Sequence, residues 1–150
     1  VRADMNKTIL PSFLGRAPTD VGSAGAGTLS ADQWRTFCTI NLTISLVRLW
    51  SISSTTDRHR ALLDNFVDLV VAVKHAIARR TSPDRITRYE ISITRYVRGL
   101  RALFPDLDLV PNHHFALHLP DFLRRFGPPY SYWAFPFERY IRLLRNVNIN

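Results

Sequence analysis

The sequence of 150 residues contains a single cysteine, Cys38. One cysteine excludes an internal disulfide and any metal site built only from cysteines. Cys38 stands in an apolar run, so we expect an unreactive core thiol of a kind that suits a reducing compartment.

Long apolar runs are also missing. The stretch 36–50 is the most apolar, but Asn41 and Arg48 interrupt it below the length that spans a bilayer. At the start of the chain, Arg2, Asp4 and Lys7 interrupt any apolar signal segment. The sequence therefore predicts no membrane partner.

Local catalytic patterns are scarce. The glycines of residues 1–29 are not followed by the Gly-Lys-Ser/Thr of a phosphate-binding loop. No serine or cysteine nucleophile is paired with a histidine base, and the acids are scattered rather than paired. The sequence by itself indicates no self-contained active site.

Lysine is rare and arginine is abundant. Eighteen arginines and two lysines face 12 acids, which gives a net charge of +8 and a pI near 10.5. Guanidinium groups bind phosphate and carboxylate with two parallel hydrogen bonds, so a polyanionic partner is one interpretation. The alternative is that the chain is a piece whose acidic partner surface lies elsewhere in a longer protein.

The hydrophobic pattern predicts an all-α fold, a bundle of about five helices. Residues 1–29 are predicted to form an extended arm, and residues 30–150 a helical domain. Ser30 and Gln33 form a capping-box pattern, so a first helix is expected from there to about Trp50. A β-strand through its β-branched residues is the alternative.

Helical periodicity predicts a second helix over Asp57 to Arg80. Ser82 as a cap and Pro83 at the first helical position predict a third helix, which runs to about Phe104.

The prolines divide the C-terminal part. Asn112 is expected to cap a short helix over 113–119, and Pro120 to start another that ends at Gly127. Residues 130–135 are expected to be extended, and Pro136 to open the last helix. The turn after Gly127 is expected to return that helix towards the preceding histidines.

Two histidines of the C-terminal part have the spacing of a helical metal-binding pair. His114 and His118 are four residues apart, which places both rings on one face of a helix. A third ligand would have to be His113, Asp121 or a residue outside the chain. The alternative is that these histidines satisfy buried carbonyl groups between helices.

Arginines of the third and last helices could bind nucleic acid. Those of the third helix fall opposite its apolar arc. A solvated charged face is the plain interpretation, and a phosphate-binding face is the specific one. The candidate nucleic-acid-binding residues are Arg88, Arg95, Arg98, Arg101, Arg139, Arg142 and Arg145.

The C-terminal stretch VPNHHFALHLPDFLRRFGPPYSYWAFPFERYIRLLRNVNIN resembles the C-terminal region of CACTA-type (En/Spm) DNA transposases of the fungal type. A second stretch, which follows Thr28, is similar to the same fungal transposases: LSADQWRTFCTINLTISLVRLW. The matching C-terminal residues are His114, His118, Leu119, Phe126, Gly127, Pro128, Trp133, Pro136, Glu138 and Arg139.

The resemblance implies part of a cut-and-paste transposase with a ribonuclease-H-like core. In such cores three acids hold two Mg²⁺ ions, which activate water for phosphodiester cleavage. Residues 30–127 would be helices inserted into that core, and Glu138 on the last helix would be the catalytic acid. The implied partners are DNA and the remainder of the transposase chain, and the implied location is nuclear.

The sequence departs from a complete transposase because it shows no strands that carry the other two acids. The segment alone is therefore expected to be inactive, and no metal ion is expected to bind it tightly. The alternative functions are a non-enzymatic module that binds nucleic acid or protein, and a domesticated or decayed remnant.

Overall fold

A computed structural model describes residues 1–5, 7–9, 11, 21, 29–51 and 56–145. Within these ranges, the side chains of six residues are outside the description: Arg2, Asp32, Phe135, Pro136, Arg139 and Arg142. Most of the predicted arm, 1–29, is outside it as well.

The described residues are helical and contain no strand, which confirms the all-α prediction. The helices are α1 (Arg2–Met5), α2 (Ala31–Thr36), α3 (Thr43–Trp50), α4 (Asp57–Ala76), α5 (Pro83–Leu103), α6 (Pro111–Phe126) and α7 (Phe135–Arg145). A π-helical segment, Phe37–Leu42, joins α2 to α3 without a break.

The capping box predicted at Ser30 is present. The Ser30 hydroxyl accepts from the Gln33 amide at 3.3 Å, and the Gln33 side chain accepts from the Ser30 amide at 2.9 Å. The β-branched run that permitted a strand is helical instead: Thr39 and Ile40 lie in the π-helical segment, and Thr43 and Ile44 begin α3. The Thr43 hydroxyl donates to the Cys38 carbonyl, five residues back, at 2.8 Å.

Helices α4 and α5 form an antiparallel hairpin, which is the largest packing interface among the described elements. The second helix ends at Ala76, four residues before the predicted end. The third begins as predicted, because the Ser82 hydroxyl accepts from the Arg85 amide at 3.3 Å and Pro83 occupies the first helical position.

Close approach within the hairpin depends on Gly99. The Asn65 side chain of α4 lies over this glycine and donates to the Tyr96 carbonyl at 2.8 Å. A Cβ atom at position 99 would stand 2.4 Å from the Asn65 amide nitrogen. Glycine therefore leaves room for a hydrogen bond between the two helices.

The main core lies where α6 packs on this hairpin. Its buried members come from three helices, so α6 is fixed by hydrophobic contact rather than by its connecting loops. The cluster comprises Ala72, Ala76, Ile86, Tyr89, Ile93 and Leu123.

The prediction of two short helices in this part of the chain is wrong, because the two form a single helix, α6. It is continuous through Pro120, and it begins at Pro111 after Val110 rather than after a cap at Asn112. Proline lacks the amide that would donate to the carbonyl four residues earlier, here that of Ala116. The Tyr89 hydroxyl of α5 donates to that carbonyl at 2.7 Å. A residue of another helix thus supplies the donor that Pro120 removes.

The segment after α6 also differs from the expected extended conformation. Gly127 ends α6 with a positive φ of 78°. A single 3₁₀ turn follows at Pro129–Ser131, and the Ser131 hydroxyl donates to the Pro128 carbonyl at 2.8 Å. The last helix then starts within one residue of the predicted Pro136.

Candidate functional site

Helix α6 brings the predicted histidine pair together. The Nε2 atoms of His114 and His118 are 3.1 Å apart, and both side chains are exposed. The same-face arrangement expected from their spacing is therefore present. The alternative, that they satisfy buried carbonyl groups, is wrong because the two rings contact each other at the surface.

His113 does not join this pair. Its Nδ1 atom accepts from the Val110 amide at 3.2 Å, at the start of the same helix. Its ring lies 6.2 Å from that of Tyr96 on α5. His113 therefore accepts a hydrogen bond at the N-terminus of α6 and contributes to the contact between α5 and α6.

The four candidate arginines of α5 are all exposed: Arg88, Arg95, Arg98 and Arg101. They span thirteen helical steps, which is about 20 Å at 1.5 Å per residue. The periodicity argument thus located an exposed basic row correctly.

Acids partly occupy this basic row. The Arg88 guanidinium contacts the Asp84 carboxylate at 3.0 Å. The pKa of Asp68 on α4 is raised because the carboxyl group is partly buried. The charge of nearby Arg95 opposes this rise. Arg95, Arg98 and Arg101 make no ion pair among the described residues, so they are the most available to an anion.

A shallow groove of about 400 Å³ runs beside the basic row. Arg95 and Arg98 line one side of it, and Glu90 the other. The Glu90 carboxylate is 2.7 Å from the Arg124 guanidinium of α6, which offsets its charge. Arg124 also contacts the Asp121 carboxylate at 3.1 Å, so it offsets the charge of Glu90 only in part. The groove therefore offers two guanidinium groups beside a partly compensated acid.

The predicted catalytic acid lies in the first turn of α7. The Glu138 side chain is exposed, and its amide donates to the Ala134 carbonyl at 2.9 Å. Arg145, at the other end of the helix, is exposed as well. The side chains of Arg139 and Arg142 are outside the described residues.

Glu138 belongs to no cluster of potential metal ligands within the described ranges. No group of three or more histidines, cysteines and acids lies close enough there to hold an ion. Over the same residues α7 has no extended packing against α6. The expectation that the last helix returns to the histidine pair thus gains no support from the described contacts.

Two other reactive side chains, Cys38 and His75, are half-buried. Burial raises the pKa of the Cys38 thiol, which disfavours the nucleophilic thiolate. Burial, and then the charges of Arg85 and Arg88, lower the pKa of His75. Its Nδ1 atom is buried and has no hydrogen-bond partner among the described residues.

The sequence reasoning missed an exposed aromatic stripe on α6. Phe115, Phe122 and Phe126 are 64%, 49% and 61% exposed. Phe122 stacks on Phe126 with ring centroids 6.0 Å apart, and Phe126 meets Tyr132 at 6.2 Å. The spacing of seven and four residues between the three phenylalanines could have predicted that they share one face of a helix.

Comparisons with protein-family models, with curated proteins and with solved structures gave no match to this chain. Among the helices in the described ranges, none combines the length and the apolar character needed to cross a membrane.

Proposed function

We propose that this chain is a helical part of a cut-and-paste DNA transposase of the CACTA type, and that the arginine row of α5 contacts DNA phosphates. The observation that carries the DNA contact is the exposure of Arg88, Arg95, Arg98 and Arg101 along one side of α5. The resemblance of the C-terminal motif supports the transposase assignment.

The physical basis is electrostatic. Guanidinium groups on a helix of this length can follow the phosphates of one strand, each forming charge-assisted hydrogen bonds. Phosphate contacts position a protein on DNA but carry no sequence information. The chain is therefore proposed to bind duplex DNA without sequence preference, in the nucleus.

The catalytic part of the proposal assigns Glu138 as one acid of the ribonuclease-H-like core. A carboxylate in the first turn of a helix is favoured by the helix dipole, by roughly 0.3–1 kcal/mol. When bound, Mg²⁺ would activate water for strand cleavage. The described residues contain no cluster of three or more potential ligands around Glu138. The remainder of the transposase chain would have to supply the other two acids.

A non-enzymatic binding module is the second candidate. The exposed arginine row of α5 would serve a domesticated or decayed remnant equally well, since it needs no catalytic acid. The two candidates share the DNA contact and differ only in the role of Glu138.

Replacing Arg95 and Arg98 together with alanine is expected to weaken duplex binding and to flatten its salt dependence. Each lost phosphate contact reduces the slope of log affinity against log salt by about 0.9. The double variant should therefore lose about 2 units of slope. Fluorescence anisotropy of a labelled duplex from roughly 50 to 200 mM salt measures this.

The matched control is Arg60→Ala with Arg80→Ala. It removes the same charge from exposed positions outside α5, near the two ends of α4. It should change the slope by clearly less. Equal losses in the two double variants would show that net charge alone, and not the α5 row, attracts the DNA.

Glu138→Gln is expected to abolish excision by a longer protein that carries this segment, because an amide is a poor ligand for Mg²⁺. The 150-residue chain alone is expected not to nick supercoiled plasmid with Mg²⁺ or Mn²⁺. Plasmid excision by the longer protein is the assay, and Asp108→Asn, which removes the charge of an exposed acid in the loop before α6, is the control. Wild-type excision by a stable Glu138→Gln variant would favour the non-enzymatic module.

A further inference from the structure

The histidine pair of α6 has a geometry that the proposed DNA contact does not use. The Nε2 atoms of His114 and His118 are 3.1 Å apart, and the rings are inclined at 75° with centroids at 4.6 Å. Both rings are exposed to solvent. Two nitrogen ligands are thus held close together at the surface by the regular backbone of one helix.

The separation of these nitrogens fits a shared metal ion. Bonds from imidazole to Zn²⁺ are about 2.0–2.1 Å long. Two such ligands are about 3.3 Å apart around a tetrahedral ion, and about 2.9 Å apart at the right angles of square-planar or octahedral coordination. The observed 3.1 Å lies between these two values. Small ring rotations would therefore suffice to bind either kind of ion.

We propose that His114 and His118 form a two-histidine site for a divalent transition-metal ion: Zn²⁺, Ni²⁺ or Cu²⁺. Imidazole nitrogen suits these ions, whereas Mg²⁺ prefers oxygen ligands. The site is therefore separate from the Mg²⁺ chemistry proposed for Glu138, and it stands whether or not the transposase assignment holds.

The remaining coordination positions face outward. The pair gains no third histidine, cysteine or acid from the described residues. On one side His114 borders a small groove of about 230 Å³, whose other lining residues include Leu109, Val110 and Leu117. Water fills the open positions of the bound ion in the isolated chain.

Coordination through both Nε2 atoms requires each ring to be neutral and to carry its proton on Nδ1. The donor and acceptor roles in the 3.1 Å contact depend on the tautomer. A ring whose Nε2–H donates in the metal-free pair therefore moves that proton to its own Nδ1 before its Nε2 lone pair binds the ion.

Titration of the untagged 150-residue chain with Ni²⁺, Cu²⁺ or Zn²⁺ alone tests this proposal by calorimetry. The wild-type chain is expected to bind one ion at least ~10-fold more tightly than His114→Ala or His118→Ala, because the second ligand is already in place when the first binds. The matched control, His59→Ala, removes a histidine from α4 and should bind as the wild type does.

Melting temperature provides a second readout. The pair exists only while α6 is helical, so the ion should raise the melting temperature of the wild type and of His59→Ala. It should not raise that of His118→Ala. Equal affinity in the wild type and His118→Ala would overturn the proposal, and the contact at 3.1 Å would then be a simple hydrogen bond between two rings.

Discussion

Replacing Leu123 with alanine is expected to lower the free energy of unfolding by about 2–5 kcal/mol. Leu123 is 2% exposed and is the buried member that α6 contributes to the main core. Its removal takes apolar atoms out of contact with the α4–α5 hairpin and leaves a cavity that the neighbouring side chains fill only in part. Urea denaturation followed by circular dichroism measures the loss.

The adjacent Phe122 provides the control. Phe122→Ala deletes a larger side chain, but Phe122 is 49% exposed and stacks mainly on Phe126 of the same helix. Its loss should cost less than about 1 kcal/mol. If both variants were equally destabilised, α6 would not be held to the hairpin by the face that carries Leu123.

The starts of α2 and α5 could be predicted from the sequence because their determinants are local. Ser30 with Gln33, and Ser82 with Pro83, satisfy orphan amides within a few residues of the helix start. The end of α4 could not be predicted in this way. The residues after Ala76 contain no glycine or proline before Pro83, and Ile77 leaves the helix while packing against the core.

Some features of the candidate site could likewise be predicted from the sequence, and others could not. The pairing of His114 with His118, and the exposure of the α5 arginines, follow from helical periodicity within one element. The position of Glu138 relative to either group depends on how α7 packs. The apolar side chains Phe137 and Leu144 of α7 are 69% and 71% exposed, so no described element fixes that helix against the bundle through them.

Pro120 shows why local reasoning divided α6. Within its own helix the residue removes one hydrogen bond, and the ring crowds the Ala116 carbonyl, which normally breaks or kinks a helix. The compensating donor comes from Tyr89, 27 residues away from Ala116 in sequence. A partner at that separation is visible only after α5 and α6 have packed together.

Tyr89→Phe is expected to destabilise the protein by roughly 1–3 kcal/mol, since the Ala116 carbonyl would lose its donor in a partly buried position. Tyr89 is 3% exposed, and burial raises the pKa of its hydroxyl to about 12, so this group stays protonated and donates throughout the neutral range. Tyr96→Phe, on the same helix, is the control. The Tyr96 hydroxyl makes no hydrogen bond among the described residues, so its loss should cost less than about 0.5 kcal/mol.

A double-mutant cycle with Pro120→Ala tests the specific role of Tyr89. Alanine at this position restores an amide that can donate to the Ala116 carbonyl within the helix, so the hydroxyl becomes redundant. The cost of Tyr89→Phe should therefore be smaller in the Pro120→Ala background, with a coupling energy of about 0.5–3 kcal/mol from urea denaturation. Pro120 is buried, so the single Pro120→Ala change also removes packing, and the cycle cancels that contribution. An identical cost of Tyr89→Phe in both backgrounds would mean that the hydroxyl does not replace the missing amide, and that Pro120 is tolerated for another reason.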